Sequence, residues 1–161
     1  MNPIHPALAP LARAAKEMPG KDVAAALEQA LAGKSWLRPE HRVGDPMRYM
    51  RHVLYVDPQG AFVMTAITWL PGQVSPVHGH QVWCAYGVAE GELTEEQFRL
   101  VDGHLLPVQT HLYKPGDVAE RDTDRTAIHR VSNRSRATIV SLHLYGVSAE
   151  RLTTGINRIY P

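Results

Sequence analysis

The sequence has 161 residues, 44% of them hydrophobic, which suits one well-buried domain and leaves no room for two of ordinary size. Its 17 basic and 16 acidic residues include no run of five like charges, so the electrostatic footprint of a protein that binds nucleic acid or an anionic membrane is missing. The single cysteine excludes an intramolecular disulfide, and no apolar run reaches the length of a membrane-spanning helix. These features predict a small-molecule partner, no nucleic acid or membrane partner, and a reduced, cytoplasmic location.

Two short helices are predicted at the N-terminus. Residues 6–18 and 22–32 both place apolar residues at helical spacing, and Gly33 follows the second as a plausible C-terminal cap. Both segments are rich in alanine and only modestly apolar. We therefore expect residues 1–40 to form a helical segment packed on the outside of a larger unit, residues 41–161.

From residue 48 onward the sequence is typical of short β-strands joined by turns. The segments are rich in β-branched and aromatic residues, and turn sequences such as Asp57-Pro58-Gln59-Gly60 separate them. The predicted strands are residues 49–56, 61–70, 82–89, 92–101, 105–113, 126–131, 137–146 and 155–160. Because no helical segments alternate with them, we expect an all-β fold, a small β-barrel or jelly-roll sandwich with short N-terminal helices.

A pair of histidines, His78 and His80, is separated by one residue in a strand-like segment. Side chains alternate along a strand, so both imidazoles point the same way, as metal ligands do. A strand-like run over residues 82–89 continues from them, and the same alternation puts Cys84 on the histidine face if no bulge intervenes. His129 on a neighbouring strand is either the third ligand of a metal with open coordination positions or an ordinary buried histidine.

Polar residues also alternate in the segment Ser141-Leu-His143-Leu-Tyr145. The three polar side chains share one face, which indicates either a buried relay or a solvent-exposed face. In a relay, the serine hydroxyl would fix the histidine tautomer, and the other ring nitrogen would orient the tyrosine hydroxyl toward a ligand.

Tyr49 and Arg51 likewise share one face of a predicted strand. An arginine that points inward offers a planar fork that matches a carboxylate, whereas the ordinary alternative is a surface arginine. Trp69 is expected either to line the pocket into which Arg51 would point or to fill the core.

Together these segments resemble the cupin family. Residues 72–91 match the motif G-x5-H-x-H-x3-E-x6-G at every spacing, with Cys84 in place of the glutamate. Residues 129–133 resemble the H-x3-N end of the second cupin motif, although Asp124-Arg125-Thr126 replaces the usual Pro-x-Gly. Within the cupins, the chain is most similar to the thiol dioxygenases of the cysteine dioxygenase type. The residues that carry this similarity are Cys84, residues 49–51, Trp69, and residues 129–131 and 140–145.

The resemblance implies a role for each matched residue. His78, His80 and His129 would hold one Fe(II), with O2 as co-substrate. Arg51 would hold the substrate carboxylate beside Tyr49 and Trp69. The implied catalytic residues are Ser141, His143 and Tyr145, which match the relay of the family, and Cys84, which some members join to that tyrosine by a thioether.

The implied reaction inserts both oxygen atoms of O2 into a thiol to give a sulfinic acid. Arg51 favours L-cysteine, because family members that act on 3-mercaptopropionate typically have glutamine there. If Arg151 or Arg158 reached the pocket, 3-mercaptopropionate would be the alternative substrate. Two further alternatives are a non-catalytic metal-binding cupin that senses a small acid and a metal-dependent cupin isomerase. We expect a monomer.

Overall fold

Two antiparallel sheets of five strands each form most of the structure, a computed structural model that describes residues 3–17 and 23–161. The strands are β1 (Met50–Val56), β2 (Val63–Trp69), β3 (His78–His80), β4 (Cys84–Glu90), β5 (Leu93–Val101), β6 (His104–Tyr113), β7 (Val118–Arg121), β8 (Ile128–Ser132), β9 (Ile139–Tyr145) and β10 (Asn157–Ile159). Their order is β1-β2-β9-β4-β7 in the first sheet and β10-β3-β8-β5-β6 in the second. The predicted all-β fold, a sandwich of two sheets with short N-terminal helices, is confirmed.

The predicted continuation of the histidine strand into residues 82–89 is wrong. β3 ends at His80 in the second sheet, and β4 begins at Cys84 in the first. The chain crosses between them, because the amide of Gln81 donates to the oxygen of Ile156 while the oxygen of Trp83 accepts from a residue that follows β9. Alternation along one strand therefore does not relate Cys84 to the histidines.

The inner strands of the first sheet, β2, β9 and β4, are buried on both faces. One face packs against the helices and contributes Leu142 and Leu144 to an apolar cluster with Leu27 and Leu31. The other face looks toward the second sheet and forms a separate cluster that includes Trp69. Every residue of β2 and β9 is accordingly buried, so the solvent-exposed alternative for the polar face of β9 is excluded.

The helices are α1 (Ala9–Glu17) and α2 (Ala24–Gly33), and 3-10 turns cover Pro6–Leu8, Pro39–Arg42 and Ala149–Arg151. The predicted boundaries at Met18 and Asp22 lie outside the described residues. None of the helices in the described ranges is long and apolar enough to cross a membrane. The division of the chain at residue 40 stays a prediction.

The prediction of Gly33 as the C-terminal cap of α2 is wrong by one residue. Lys34 takes the left-handed conformation, with φ of 46°, and its amide donates to the oxygen of Ala30. The buried indole of Trp36 donates to the same oxygen at 2.8 Å, which stabilises the last turn. At the other end, the Glu120 carboxylate of β7 accepts from the free amide of Val23, so α2 is fastened to the first sheet.

Gly87 lies where α2 packs on β4, and a substitution there tests that packing. A Cβ on Gly87 would lie 2.5 Å from Cδ1 of Leu31 and 2.8 Å from the backbone oxygen of Asp117. That oxygen already accepts from the amide of Val88, so it is not free to move. We expect Gly87→Ala to lower the free energy of unfolding by about 1–3 kcal/mol, as overpacking does, measured by urea denaturation.

Gly33→Ala is the matched control, because a Cβ at Gly33 meets nothing within 4 Å. Alanine is the better helix former, so this variant should equal or slightly exceed the wild type in stability. Equal stability of the two variants would contradict the close packing of α2 on β4.

Candidate metal centre

Three buried histidines converge in the second sheet. His78 and His80 are the two ends of β3, and His129 of β8 is the direct cross-strand partner of His78. One ring nitrogen of each lies within 4.8 Å of the other two. The Nε2 atoms of His80 and His129 are 3.4 Å apart, which fits one shared ion, since nitrogens bound at about 2.1 Å stand about 3.0–3.4 Å from each other. The three histidines can therefore hold a metal ion.

The protonation of the cluster also suits a metal. Burial and the neighbouring His129 lower the pKa of His78 to about 4, and burial with both neighbouring histidines lowers the pKa of His80 to about 2. Nδ1 of His78 donates to the oxygen of Pro76 at 2.9 Å, so Nε2 keeps its lone pair. Neutral imidazole nitrogens are the ligands that divalent transition metals accept most readily.

Glu95, which sequence reasoning missed, orients the third histidine. Its carboxylate is fully buried, and Oε1 accepts from Nδ1 of His129 at 2.6 Å. The same carboxylate accepts from Arg121 at 2.6 Å and from the hydroxyls of Tyr86 at 3.0 Å and Tyr113 at 3.1 Å. The tautomer and the ring orientation of His129 are thus fixed by a group outside the ligand set, as is usual for metal-binding histidines.

The charge of Glu95 is maintained by its partners. Burial alone would raise its pKa, but hydrogen bonds from His129 and Arg121 and the charge of Arg121 outweigh burial and lower it. Glu95 lies in a polar run, Thr94-Glu95-Glu96-Gln97, which has the composition of an exposed strand. The sequence carries no signal that the second of these residues is fully buried behind the histidines.

The histidines open into a cleft of about 350 Å³, mouth included, between the two sheets. Nine of the ten predicted site residues line it, and Ser141 lies directly behind. The nine are Tyr49, Arg51, Trp69, His78, His80, Cys84, His129, His143 and Tyr145, and Ser75 and Tyr86 are further polar residues of the lining. Asn157 of β10 also lines the cleft, and sequence reasoning missed it because nothing in the sequence pairs β10 with β3.

Neither Arg151 nor Arg158 is among the described residues that line the cleft, so the alternative in which one of them reaches it has no support from the structure. Arg158 follows Asn157 in β10, and successive side chains of a strand point to opposite faces. Arg151 ends an exposed 3-10 turn.

Arg51 presents an unpaired cation to the cleft. Its Nε is buried and has no hydrogen-bond partner, and none of the ion pairs in the described part of the chain includes it. Its guanidinium carbon lies 5.4 Å from the ring centre of Tyr49, which stacks on Trp69 at 4.5 Å. A buried guanidinium N–H without a partner is costly, so this geometry indicates a site for an anion.

The polar face of β9 forms a hydrogen-bonded chain that begins at Trp69. The indole, which can only donate, bonds Oγ of Ser141 at 2.9 Å. Oγ of Ser141 is also hydrogen-bonded to Nε2 of His143 at 2.8 Å, and Nδ1 of His143 is hydrogen-bonded to the hydroxyl of Tyr145 at 3.1 Å. In the tautomer with the proton on Nδ1, the serine donates to Nε2, and the hydroxyl hydrogen of Tyr145 is free to point into the cleft.

His143 and Tyr145, the last two residues of this hydrogen-bonded chain, are uncharged at neutral pH. Burial and the charge of Arg51 lower the pKa of His143 well below its usual value, whereas burial raises the pKa of Tyr145. Burial also raises the pKa of Cys84, the direct cross-strand partner of Tyr145. The cleft therefore offers a neutral thiol and a neutral phenol side by side near the histidines.

Comparison with known proteins extends these observations. The family model described as cysteine dioxygenase type I matches residues 15–152, which confirms the resemblance. The solved structure of TT1209 from Thermus thermophilus is 20% identical, with a TM-score of 0.54 over 67% of this chain and 91% of that chain. An uncharacterized conserved protein with a double-stranded β-helix domain from Klebsiella pneumoniae is 16% identical, with a TM-score of 0.53 over 76% and 92%. At these identities the two structures establish the fold alone.

Removal of the Glu95 carboxylate charge, which is hydrogen-bonded to His129, should weaken metal binding. In Glu95→Gln the amide no longer offers two anionic oxygens to His129 and Arg121, so we expect metal affinity to fall about 10–100-fold. Competition with a chromogenic chelator measures the affinity, and circular dichroism reports whether the variant folds.

Glu96→Gln is the matched control. Glu96 is the next residue of β5, so its side chain points to the opposite face of the sheet, where it pairs with the partly exposed Arg130 and Arg134. It should bind metal as the wild type does. Equal metal affinity in Glu95→Gln and Glu96→Gln would contradict the role assigned to Glu95.

Proposed function

Because the chain belongs to the cysteine dioxygenase type I family, we propose that it oxidises the thiol of L-cysteine with O2 to a sulfinic acid. Three imidazoles that can bind one metal ion face the same small cleft as the Arg51 guanidinium, whose Nε has no hydrogen-bond partner. This observation carries the proposal. A metal site beside an anion site matches a small acid that carries a thiol.

The metal in this proposal is Fe(II), held by Nε2 of His129 and ring nitrogens of His78 and His80. Three neutral imidazoles leave the charge of a bound cation uncompensated, which favours an anionic thiolate beside it. The chemistry supplied by the bound iron is the electron transfer between the thiol and O2. Both oxygen atoms end on the sulfur, and all the electrons that O2 takes up come from the sulfur, so no further reductant is needed.

Arg51 has the role of holding the substrate carboxylate. Its unpartnered Nε and planar fork suit two parallel hydrogen bonds to a carboxylate. Tyr49 and Trp69 fix the guanidinium from one side, because Arg51 lies over the ring of Tyr49 and that ring stacks on Trp69. The sulfur of a carboxylate-anchored thiol is then restricted in position, which favours the reaction through orientation.

Tyr145 has the role of hydrogen-bond donor within the cleft. In this proposal Nδ1 of His143 carries the proton and donates to the oxygen of Tyr145, which leaves the hydroxyl hydrogen for the substrate. A phenol whose pKa is raised by burial keeps that hydrogen at neutral pH. It can donate to a carboxylate or to a sulfinate oxygen as negative charge develops there.

A cytoplasmic location belongs to the proposal, since a reducing compartment keeps small thiols free.

Oxygen uptake by the iron-loaded protein tests the proposal. With L-cysteine as the only thiol, we expect one O2 consumed for each cysteine sulfinic acid formed, measured with an oxygen electrode and quantified product. Formation of hydrogen peroxide or cystine in place of the sulfinate would contradict it. Absence of any uptake by protein with bound iron would contradict it as well.

Removal of the Arg51 guanidinium should weaken binding of the substrate carboxylate. In Arg51→Gln we expect kcat/KM for L-cysteine to fall about 10–100-fold, the usual effect of removing hydrogen bonds to a charged group. Arg48→Gln is the matched control, because Arg48 is an exposed arginine three residues away that pairs with Asp45. Steady-state sulfinate formation measures both. Equal rates in the two variants would contradict carboxylate binding by Arg51.

A further inference from the structure

The cleft contains two buried polar atoms that lack partners, and they are opposite in kind. Nε of Arg51 is a donor, and Oδ1 of Asn157 is an acceptor. The other buried atoms without partners in the described residues belong to side chains that do not line the cleft, namely Thr65, Ser132 and Arg158. The cleft therefore contains one buried donor and one buried acceptor that have no partner in the described residues and are available to a ligand.

Asn157 is held firmly in place. It lies in β10 directly opposite His80 of β3. Gln81, the residue after His80, makes two hydrogen bonds to this segment. Its side-chain amide donates to the backbone oxygen of Asn157 at 3.0 Å, and its backbone amide donates to the oxygen of Ile156 at 2.7 Å. The backbone of Asn157 is thus fixed opposite a histidine of the metal cluster, and its carboxamide is not carried on a loose tail.

Arg51 and Asn157 approach the cleft from different sheets. β1, which carries Arg51, is an edge strand of the first sheet, and β10 is an edge strand of the second. A ligand that satisfies both side chains must bridge the two sheets with a hydrogen-bond acceptor at one end and a donor at the other. An α-amino acid has this pair of groups, a carboxylate and an amino group, on one carbon.

Several other polar groups of the cleft already have partners. Oγ of Ser75 donates to the oxygen of Pro76 and accepts from the amide of Val131. The hydroxyl of Tyr86 donates to Glu95, and the hydroxyl of Tyr145 is hydrogen-bonded to His143. Oδ1 of Asn157 is a fully buried acceptor of the cleft without a partner in the described residues, so it is available to an N–H group of the ligand.

We infer that Asn157 is a specificity-determining residue, whose carboxamide oxygen accepts a hydrogen bond from the α-amino group of the substrate. This inference rests on the proposed thiol dioxygenase function and deepens it. A thiol acid without an amino group would leave Oδ1 of Asn157 buried and unpaired, and sites built to pair such a group discriminate strongly against ligands that lack it. Asn157 thus selects amino acid thiols over simple thiol acids, while Arg51 serves both.

Anaerobic titration of the iron-loaded protein separates the two ligand classes. Without O2 the thiols are not consumed, so calorimetry gives the Kd of L-cysteine and of 3-mercaptopropionate, which lacks the amino group. In Asn157→Ala we expect the Kd of L-cysteine to rise about 10–100-fold and that of 3-mercaptopropionate to change by less than about 3-fold. Asn157→Asp keeps an acceptor in place and adds a negative charge, so it should keep or increase the preference for L-cysteine.

Ile159→Ala is the matched control, since Ile159 is in the same strand but is 54% exposed and does not line the cleft. It should bind both thiols as the wild type does. Iron content and circular dichroism report folding, and Asn157→Asp carries the test if Asn157→Ala does not fold.

The outcomes separate the inference from the proposed function. Equal weakening of both thiols in Asn157→Ala, or loss of the preference for L-cysteine in Asn157→Asp, overturns the role of Asn157 while the dioxygenase proposal stands. A wild-type protein with bound iron that binds neither thiol overturns the dioxygenase proposal, and the inference with it.

Discussion

The buried carboxylate of Glu95 lies between the guanidinium of Arg121 and the imidazole of His129, and the geometry of the metal centre depends on that contact. A carboxylate with no solvent exposure keeps its charge only when neighbouring donors compensate for lost hydration. Arg121 and two tyrosine hydroxyls supply that compensation, which leaves one oxygen to accept from His129. The Nε2 lone pair of His129 is consequently directed at His78 and His80.

The cleft contains two kinds of polar group. Some are hydrogen-bonded within the protein and fix the position of a side chain, and others have no partner and are available to bind the ligand. The hydrogen-bonded chain from Trp69 to Tyr145 is complete within the protein, so it holds the hydroxyl group of Tyr145 in a defined place. Arg51 and Asn157 are incomplete without a ligand. Because an unpaired buried polar group costs free energy, a ligand with matching groups gains affinity that an unmatched ligand does not.

The parts of the site that follow from short-range periodicity were predictable. His78 and His80, and likewise Ser141, His143 and Tyr145, share a face because side chains alternate within one strand. The prediction failed where the chain passes from β3 to β4, since the bonds of Gln81 and Trp83 go to segments far away in the sequence. Glu95 and Asn157 were missed for the same reason, because their roles come from pairing between strands that the sequence does not specify.

The three-histidine iron site can be tested by anomalous X-ray diffraction at the iron edge, from crystals of the iron-loaded protein. We expect one iron peak per chain, bound by Nε2 of His129 and by ring nitrogens of His78 and His80, with Glu95 bonded to His129 and not to the metal. A peak at another position, or iron bound by Glu95 or Cys84, would contradict it.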